Sequence, residues 1–355
     1  MTAQEITLQN KGDIGKIMSP GSEKHQSLRG FDEDYVDIVD YIIRCTHKIW
    51  EEKGIGLIYT HYLHNAVIHT SSGQIYGRDE VITGTVQALA AFPDRRLYGD
   101  EVIWTGNDED GFYSSHRLMH VGHNTGYSAY GPPTGRKVAY RAIANCLVKE
   151  NRIVEEWLIR DELSLVRQLG FHVPDMVKQM VELEQELGIQ TYIPGEVERV
   201  KGQTTPAVMP PQSTEGFDID YFTRRSFHEI WNWRLLNKVD EYYAPTYQAY
   251  MASDRYLYGL GDLKAFILSI IAAFPDLAMS VDHVCWLGNE RDGYRVATRW
   301  TIMGTHKGPG AYGKPTGKRM RIMGTSHQLV KQAKVVQEWT LFDEFALLKQ
   351  IYVAD

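Results

Sequence analysis

The sequence predicts an α+β protein made of two tandem domains, each placing helices before a long antiparallel sheet. Three observations carry that reading. The chain nearly repeats itself about 182 residues further on. Each copy opens on residues that are apolar at helical spacing, and each closes on segments cut by turn signals. The 355 residues are 43% hydrophobic and 23% charged. That composition is ordinary for a folded globular chain, and the length suits two domains that each bury a core.

The repeat is the strongest signal. From Ala88 to Leu169, residue n aligns with residue n+182 without a gap, and 31 of the 82 positions are identical. "AAFPDRRLYGDEVIWTGNDEDG" (Ala90–Gly111) answers "AAFPDLAMSVDHVCWLGNERDG" (Ala272–Gly293). Upstream, Ile49-Trp50 and Tyr62 pair with Ile230-Trp231 and Tyr243 at an offset of 181. Two copies are too few and too long for a solenoid, so they read as a duplicated domain. The predicted boundaries are an N-terminal arm over 1–30, a first domain over 31–173, a helix and linker over 174–216, and a second domain over 217–355.

Within each copy the elements follow in order. A helix comes first, in "VDIVDYIIRCTHKIWEE" and "YFTRRSFHEIWNWRLL", with apolar residues three to four apart. A tyrosine-rich segment follows, then a short helix that Pro93 or Pro275 stops just after Phe92 or Phe274. Three strands are expected next, punctuated by "NDEDG" or "NERDG", by "GPPTGRK" or "GKPTGKR", and by "KENR" or "KQAK". The last strand ends in Glu-Trp, and a short amphipathic tail closes each copy. Between the copies, Met176, Met180, Val181, Leu183 and Leu187 mark a helix, and the Pro/Thr/Gly-rich stretch after it reads as an extended linker.

Bulk properties exclude several classes. A net charge of −7 speaks against a nucleic-acid partner, which would favour a basic excess. Cys45, Cys146 and Cys285 are too few and too scattered for a disulfide framework and read as thiols of a reducing compartment. No stretch approaches 18 apolar residues, which predicts no membrane span. The first thirty residues have no apolar core of a signal peptide. A cytoplasmic location is the expectation. No Rossmann glycine pattern, Walker motif, GxSxG elbow or HExxH is present, so no organic cofactor and no metal are predicted.

"GRDEVI", "AFPD", "GYSAYGPPTGRKV", "ENRIVEEW" and "DELSLVRQLG" occur in this order, and the set resembles the SnoaL-like polyketide cyclases of the nuclear transport factor 2-like superfamily. The resemblance covers about 31–170 and, more loosely, 217–352. It implies two cone-shaped domains, each a curved antiparallel sheet wrapped by N-terminal helices around a cavity. It also implies the alternatives a cavity of this kind hosts, since fold alone does not fix function. The family's acid–base Asp, three residues before the position of Asp161 or Asp343, falls on Leu158 and Thr340. Its histidine on the preceding strand falls on Ala144 and Ser326. None of these four can shuttle a proton as a carboxylate or imidazole does.

Strand alternation nominates other groups. Tyr294, Val296, Thr298, Trp300 and Ile302 are nearly all apolar and should face inward. The matching face of the first copy is Phe112, Ser114, His116, Leu118 and His120. The first cavity is therefore expected to hold two imidazoles where the second holds Thr and Ile. On the next strand Tyr140 should point inward, toward a substrate oxygen or into the packing. In "THYLHNAVIHT", His64 and His69 are candidate substrate contacts, whereas His61 and His123 are left at the surface. Glu156 and Glu338 share the alternation of the missing Asp. Each is a proton carrier raised by burial or an ion-pair partner of Arg117, Arg299 or Arg141. Asp161 and Asp343 orient a histidine or cap the terminal helix. Trp157 and Trp339 should bury at the end of the sheet, and Trp157 is kept with the substrate-binding set.

The catalytic candidates are thus His116, His120, Glu156 and Asp161, and the substrate-binding candidates are His64, His69, Tyr140 and Trp157. They point to a cofactor-independent acid–base enzyme of lyase, isomerase or hydrolase type, acting on a small, partly apolar molecule in the first cavity. The competing expectation is a non-catalytic small-molecule or partner-binding module, built as an intrachain pseudo-dimer. A homodimer of the chain is a further expectation.

Overall fold

The computed structural model describes residues 6–8, 14–189 and 216–352. The expected extended linker falls mostly outside these residues. By contact density the described chain divides into two compact units. One comprises residues up to 70, 74–160 and 164–172, and the other 71–73, 161–163 and 173 onward.

In the first unit, the strands are β1 (Tyr62–Thr70), β2 (Gly73–Tyr76), β3 (Arg96–Asn107), β4 (Gly111–His123), β5 (Lys137–Lys149) and β6 (Arg152–Arg160). They form one sheet in the order β2-β1-β6-β5-β4-β3. β3, β4, β5 and β6 pair antiparallel in turn, and β1 runs parallel to β6. The second unit repeats this with β7 (Tyr243–Met251), β8 (Arg255–Tyr258), β9 (Ala278–Asn289), β10 (Gly293–Thr305), β11 (Arg319–Lys331) and β12 (Lys334–Phe342). Its order is β8-β7-β12-β11-β10-β9. Four strands follow the central helix, not the three expected, because three turn signals separate four segments. The tyrosine-rich segment is itself the strand that lies parallel to the last one.

The helices begin and end where the sequence signals them. Asp37 accepts the Asp40 N–H and caps the helix Ile38–Trp50. Asp218 accepts the Tyr221 N–H and caps Ile219–Phe227, which continues as a π turn over His228–Asn232. The helices Arg78–Ala91 and Gly259–Ala273 both stop two residues before a proline. The one-residue slip of the repeat lies in a hairpin. Ser71 and Ser72 join β1 to β2, whereas Ala252, Ser253 and Asp254 join β7 to β8, with φ of 62° and 58° at the last two. The N-terminal segment packs rather than floats where it is described. Ile6, Leu8 and Ile17 are buried, and the Trp104 indole donates to the Ile6 carbonyl at 2.9 Å.

Candidate active site

One face of the helix Ile38–Trp50 and the concave face of the first sheet enclose a cavity of about 70 Å³. The helix presents Tyr41, Ile42, Cys45, Thr46, Ile49 and Trp50 to it, positions one turn apart along a single stripe. The strands supply alternate residues. His116, Leu118 and His120 come from β4, Ala144 and Cys146 from β5, and Glu156, Leu158 and Arg160 from β6. Arg95 and Tyr62 complete the polar part of the wall, and Leu97 and Ile153 its apolar part.

His120 is held on two sides. Its ring stacks on Tyr140 at 4.8 Å between centroids and 15° between planes. Arg95 Nε donates to His120 Nδ1 at 3.0 Å, and the Arg95 Nη2 group lies against the same nitrogen. The Arg95 guanidinium in turn sits 5.4 Å over the Trp50 ring. A guanidinium only donates, so Nδ1 must accept. The one ring proton of the neutral imidazole is therefore on Nε2. Burial, then the charges of Arg95, Arg160 and His116, push His120 well below the ordinary imidazole value. His120 is a fixed, neutral N–H donor rather than a base.

His116 lies four residues earlier on the same face, buried and level with Ala144 of β5. Its ring is accommodated by Gly99, where a Cβ would sit 2.9 Å from His116 Nε2. Glu156 is buried and accepts the Tyr62 hydroxyl at 3.0 Å. Burial raises its carboxyl, while the Tyr62 hydrogen bond and Arg160 pull it back. The ion pair expected between Glu156 and Arg117 is absent: Arg117 serves Asp100 and Glu101 at 3.2 and 3.5 Å.

Not every sequence candidate reaches this cavity. His116, His120 and Glu156 do. Tyr140 is buried behind His120 among Ala91, Phe92, Val138, Leu165 and Leu169, so it supports the ring instead of meeting a substrate. His64 is exposed. His69 Nε2–H donates to Glu155 Oε1 at 2.7 Å, and the ring stacks on Trp157 at 5.1 Å. Both belong to the opposite face of the sheet, because Trp157 alternates with the cavity residues Glu156 and Leu158. Asp161 also lies away from the cavity, accepting the Ser253 N–H at 2.8 Å. Its repeat partner Asp343 does cap a helix, accepting the N–H groups of Phe345 and Ala346 at 2.9 and 3.0 Å. His61, expected at the surface, is buried and paired with the Tyr35 hydroxyl at 2.9 Å. His123 is exposed beside Asp94.

Arg95, Arg160 and Tyr62 were not nominated from the sequence. The repeat held the signal for the arginines: their partners in the second copy are Leu277 and Phe342.

The second unit has a cavity of about 40 Å³ in the corresponding place, lined by Phe227, Trp231, Met251, Phe266, Trp300, Ile302, Met320 and Ile322 among others. Its polar end is Glu338, Thr340 and Ser326. Glu338 accepts from Tyr247 Oη, Gln328 Nε2 and Thr340 Oγ1 at 3.2, 2.9 and 2.5 Å. The Trp300 indole donates to Ser326 Oγ at 3.1 Å, with Thr340 Oγ1 2.6 Å further on.

The family described as SnoaL-like polyketide cyclase matches residues 41–169 and 222–351, most of the chain. The protein belongs to that family, with one member domain in each half. No curated protein matches the chain significantly in sequence. Among solved structures, it is similar to a candidate SnoaL-like polyketide cyclase from Jannaschia sp. CCS1, at 18% identity over 41% of this chain and 99% of that one, with a TM-score of 0.36. IdmH, a candidate polyketide cyclase from Streptomyces antibioticus, is 23% identical over 38% of this chain and 98% of its own, with a TM-score of 0.33. AclR, a candidate hydroxylase from Streptomyces galilaeus, is 22% identical over 38% and 96%, also with a TM-score of 0.33. Among the described residues, no helix is long and apolar enough to cross a membrane, and no three His, Cys, Asp or Glu side chains gather as metal ligands.

Proposed function

We propose that the first domain is a cofactor-independent acid–base catalyst of lyase, isomerase or hydrolase type, acting on a small, partly apolar molecule. The observation that supports this most is the convergence of His116, His120 and Glu156 on one cavity whose other wall is apolar. In this reading the substrate oxygen accepts the Nε2–H of His120, whose tautomer Arg95 holds. His116 removes and returns the proton. Glu156, raised by burial, relays a second proton next to Tyr62. A neutral imidazole polarises an oxygen without first losing a proton, and a positioned general base contributes about 10²–10⁴-fold in rate. Apolar walls keep both groups in a low dielectric where such contacts are strong.

The test is a panel of small ketones, esters and β-hydroxy carbonyl compounds incubated in D₂O and followed by NMR for exchange, elimination, isomerisation or hydrolysis. A reaction abolished by His116→Ala supports the assignment, and a reaction indifferent to both His116→Ala and His120→Ala overturns it. The non-catalytic reading has one observation in its favour: the family's catalytic positions are Ala144 and Leu158, and both line the cavity. It predicts a panel compound that raises the melting temperature without being converted.

A further inference from the structure

We propose that the second domain carries a docking surface, centred on Trp286, for a short polypeptide segment of a partner protein. The segment would bring two apolar side chains, with one residue between them, and an exposed main-chain carbonyl. Neither Trp286 nor its repeat partner Trp104 lines a cavity, so this inference is independent of the reaction proposed for the first domain.

The two copies share a frame here and differ in what covers it. Trp104 and Trp286 hold the same position of the repeat, each on the outermost strand of its sheet, β3 or β9. On the same face as Trp104 stand Val102 and, opposite on β4, Ser114. Trp286 has Val284 and, on β10, Val296, both buried in the core. Nearby, Phe112 meets the Phe31 ring at 5.9 Å, and Tyr294 meets the Phe217 ring at 5.8 Å. In the first copy the frame is closed. Ile6 and Leu8 are buried, the Trp104 indole donates to the Ile6 carbonyl at 2.9 Å, and Trp104 is 4% exposed. In the second copy Trp286 is 40% exposed, and among the described residues its N–H has no acceptor.

A single exposed aromatic is ordinary on a protein surface. The occupied twin is what gives Trp286 a meaning. An indole offers a large apolar face and one donor, and it contributes most where both are served. Ile6-Thr7-Leu8 serves both at Trp104, with two aliphatic side chains and one carbonyl. The floor at Trp286 is more apolar, with Val296 in place of Ser114, so a segment of the same pattern suits it.

The probe is the peptide TAQEITLQN, residues 2–10 of this chain, added to the full chain labelled with nitrogen-15. It is expected to shift the Trp286 indole N–H signal saturably and to leave Trp104, already held by Ile6 of its own chain, unmoved. Peptides carrying Ile6→Asp or Leu8→Asp should bind about tenfold more weakly or worse. In fluorescence anisotropy with labelled peptide, Trp286→Ala should abolish binding, and Trp286→Phe, which keeps a ring and loses the donor, should bind with intermediate affinity. The proposal is overturned by the absence of a saturable Trp286 shift, by a response at Trp104 alone, by equal binding of the Asp-substituted peptides, or by undiminished binding to Trp286→Ala. The spectra of the wild-type chain with the three peptides decide the matter even where a Trp286 variant fails to fold.

Discussion

The two cavities share a frame and differ in the groups that fill it. In the first, Trp50, Arg95, His120 and Tyr140 stand in sequence, ring on guanidinium on imidazole on ring. In the second, the same positions hold Trp231, Leu277, Ile302 and Ile322. The whole polar relay has an apolar twin, and only the tryptophan is common. What the copies keep is scaffold. Arg117 and Arg299 both pair with an aspartate on the neighbouring strand, and Glu156 and Glu338 both accept a tyrosine hydroxyl, from Tyr62 in one copy and from the non-equivalent Tyr247 in the other. Duplication conserved the wall and exchanged its lining, so residues that differ between copies are more informative about chemistry than residues that agree.

The largest effect expected from this contrast is catalytic. His116→Ala should lower turnover of a substrate found in the D₂O panel by about 10²–10⁴-fold, whereas Thr298→Ala, the same position in the second copy, should change it by less than about twofold. Steady-state kinetics on the two variants check this, and equal losses would break the division of labour.

A finer effect concerns the His120 tautomer. Arg95→Leu, which installs the second copy's residue, removes the donor at Nδ1 and a positive charge, so the His120 pKa should rise and turnover fall by about tenfold or more. His120→Gln keeps an N–H donor and should retain more activity than His120→Ala. A pH–rate profile of Arg95→Leu with a new limb nearer neutrality supports the assignment, and an unchanged profile contradicts it.

Packing offers a third handle. Gly99 makes room for His116 where the second copy pairs Val281 with Thr298. Gly324 makes room for Trp300, since a Cβ there would overlap the indole ring, where the first copy pairs Ala142 with Leu118. Gly324→Ala and Gly99→Val should each cost about 1–3 kcal/mol through overpacking. Adding Trp300→Leu or His116→Thr should recover part of that cost. Denaturant melts arranged as double-mutant cycles measure the coupling. Additive cycles would remove the size-swap explanation.

The smallest effect is in stability against pH. His120 is buried and held below its unfolded value of about 6.5. As pH falls through that value the unfolded chain gains a proton that the native site resists, so this group's contribution declines on acidification. The slope approaches about 1.4 kcal/mol per pH unit. His283, pushed down to about 4 mainly by burial, acts in the same direction over 6.5 to 4. Glu156 and Glu338, raised by burial, act oppositely and favour the native state toward acid. His120→Ile should therefore flatten the acid-side loss in chemical denaturation, and an unaltered slope would place the imidazole in water.

Much of the fold was legible because duplication doubles every signal. A cap, a proline stop and a turn found at one position recur about 182 residues later, and tertiary packing had little left to override. The inward face of β4 was legible for the same reason, through the apolar run of its twin. What alternation could not supply was the far side of each side chain. Tyr140 faces inward yet spends its ring behind His120. Trp157 sits one residue from Glu156 and so on the other face. His61 is buried because Tyr35, distant in sequence, reaches it. Asp161 looks like Asp343 in sequence, and nothing in that likeness announces that it accepts the Ser253 N–H. Arg95 and Arg160 escaped notice because long charged side chains are usually solvated, and only their apolar counterparts in the second copy mark them as lining.

The most direct test exchanges the linings. His116→Thr with His120→Ile gives the first cavity the second copy's residues, and Thr298→His with Ile302→His does the reverse. Measured on one substrate, the first pair is predicted to lose turnover by about 10²-fold or more and the second pair to retain the wild-type rate. Undiminished turnover in the first pair would contradict the account.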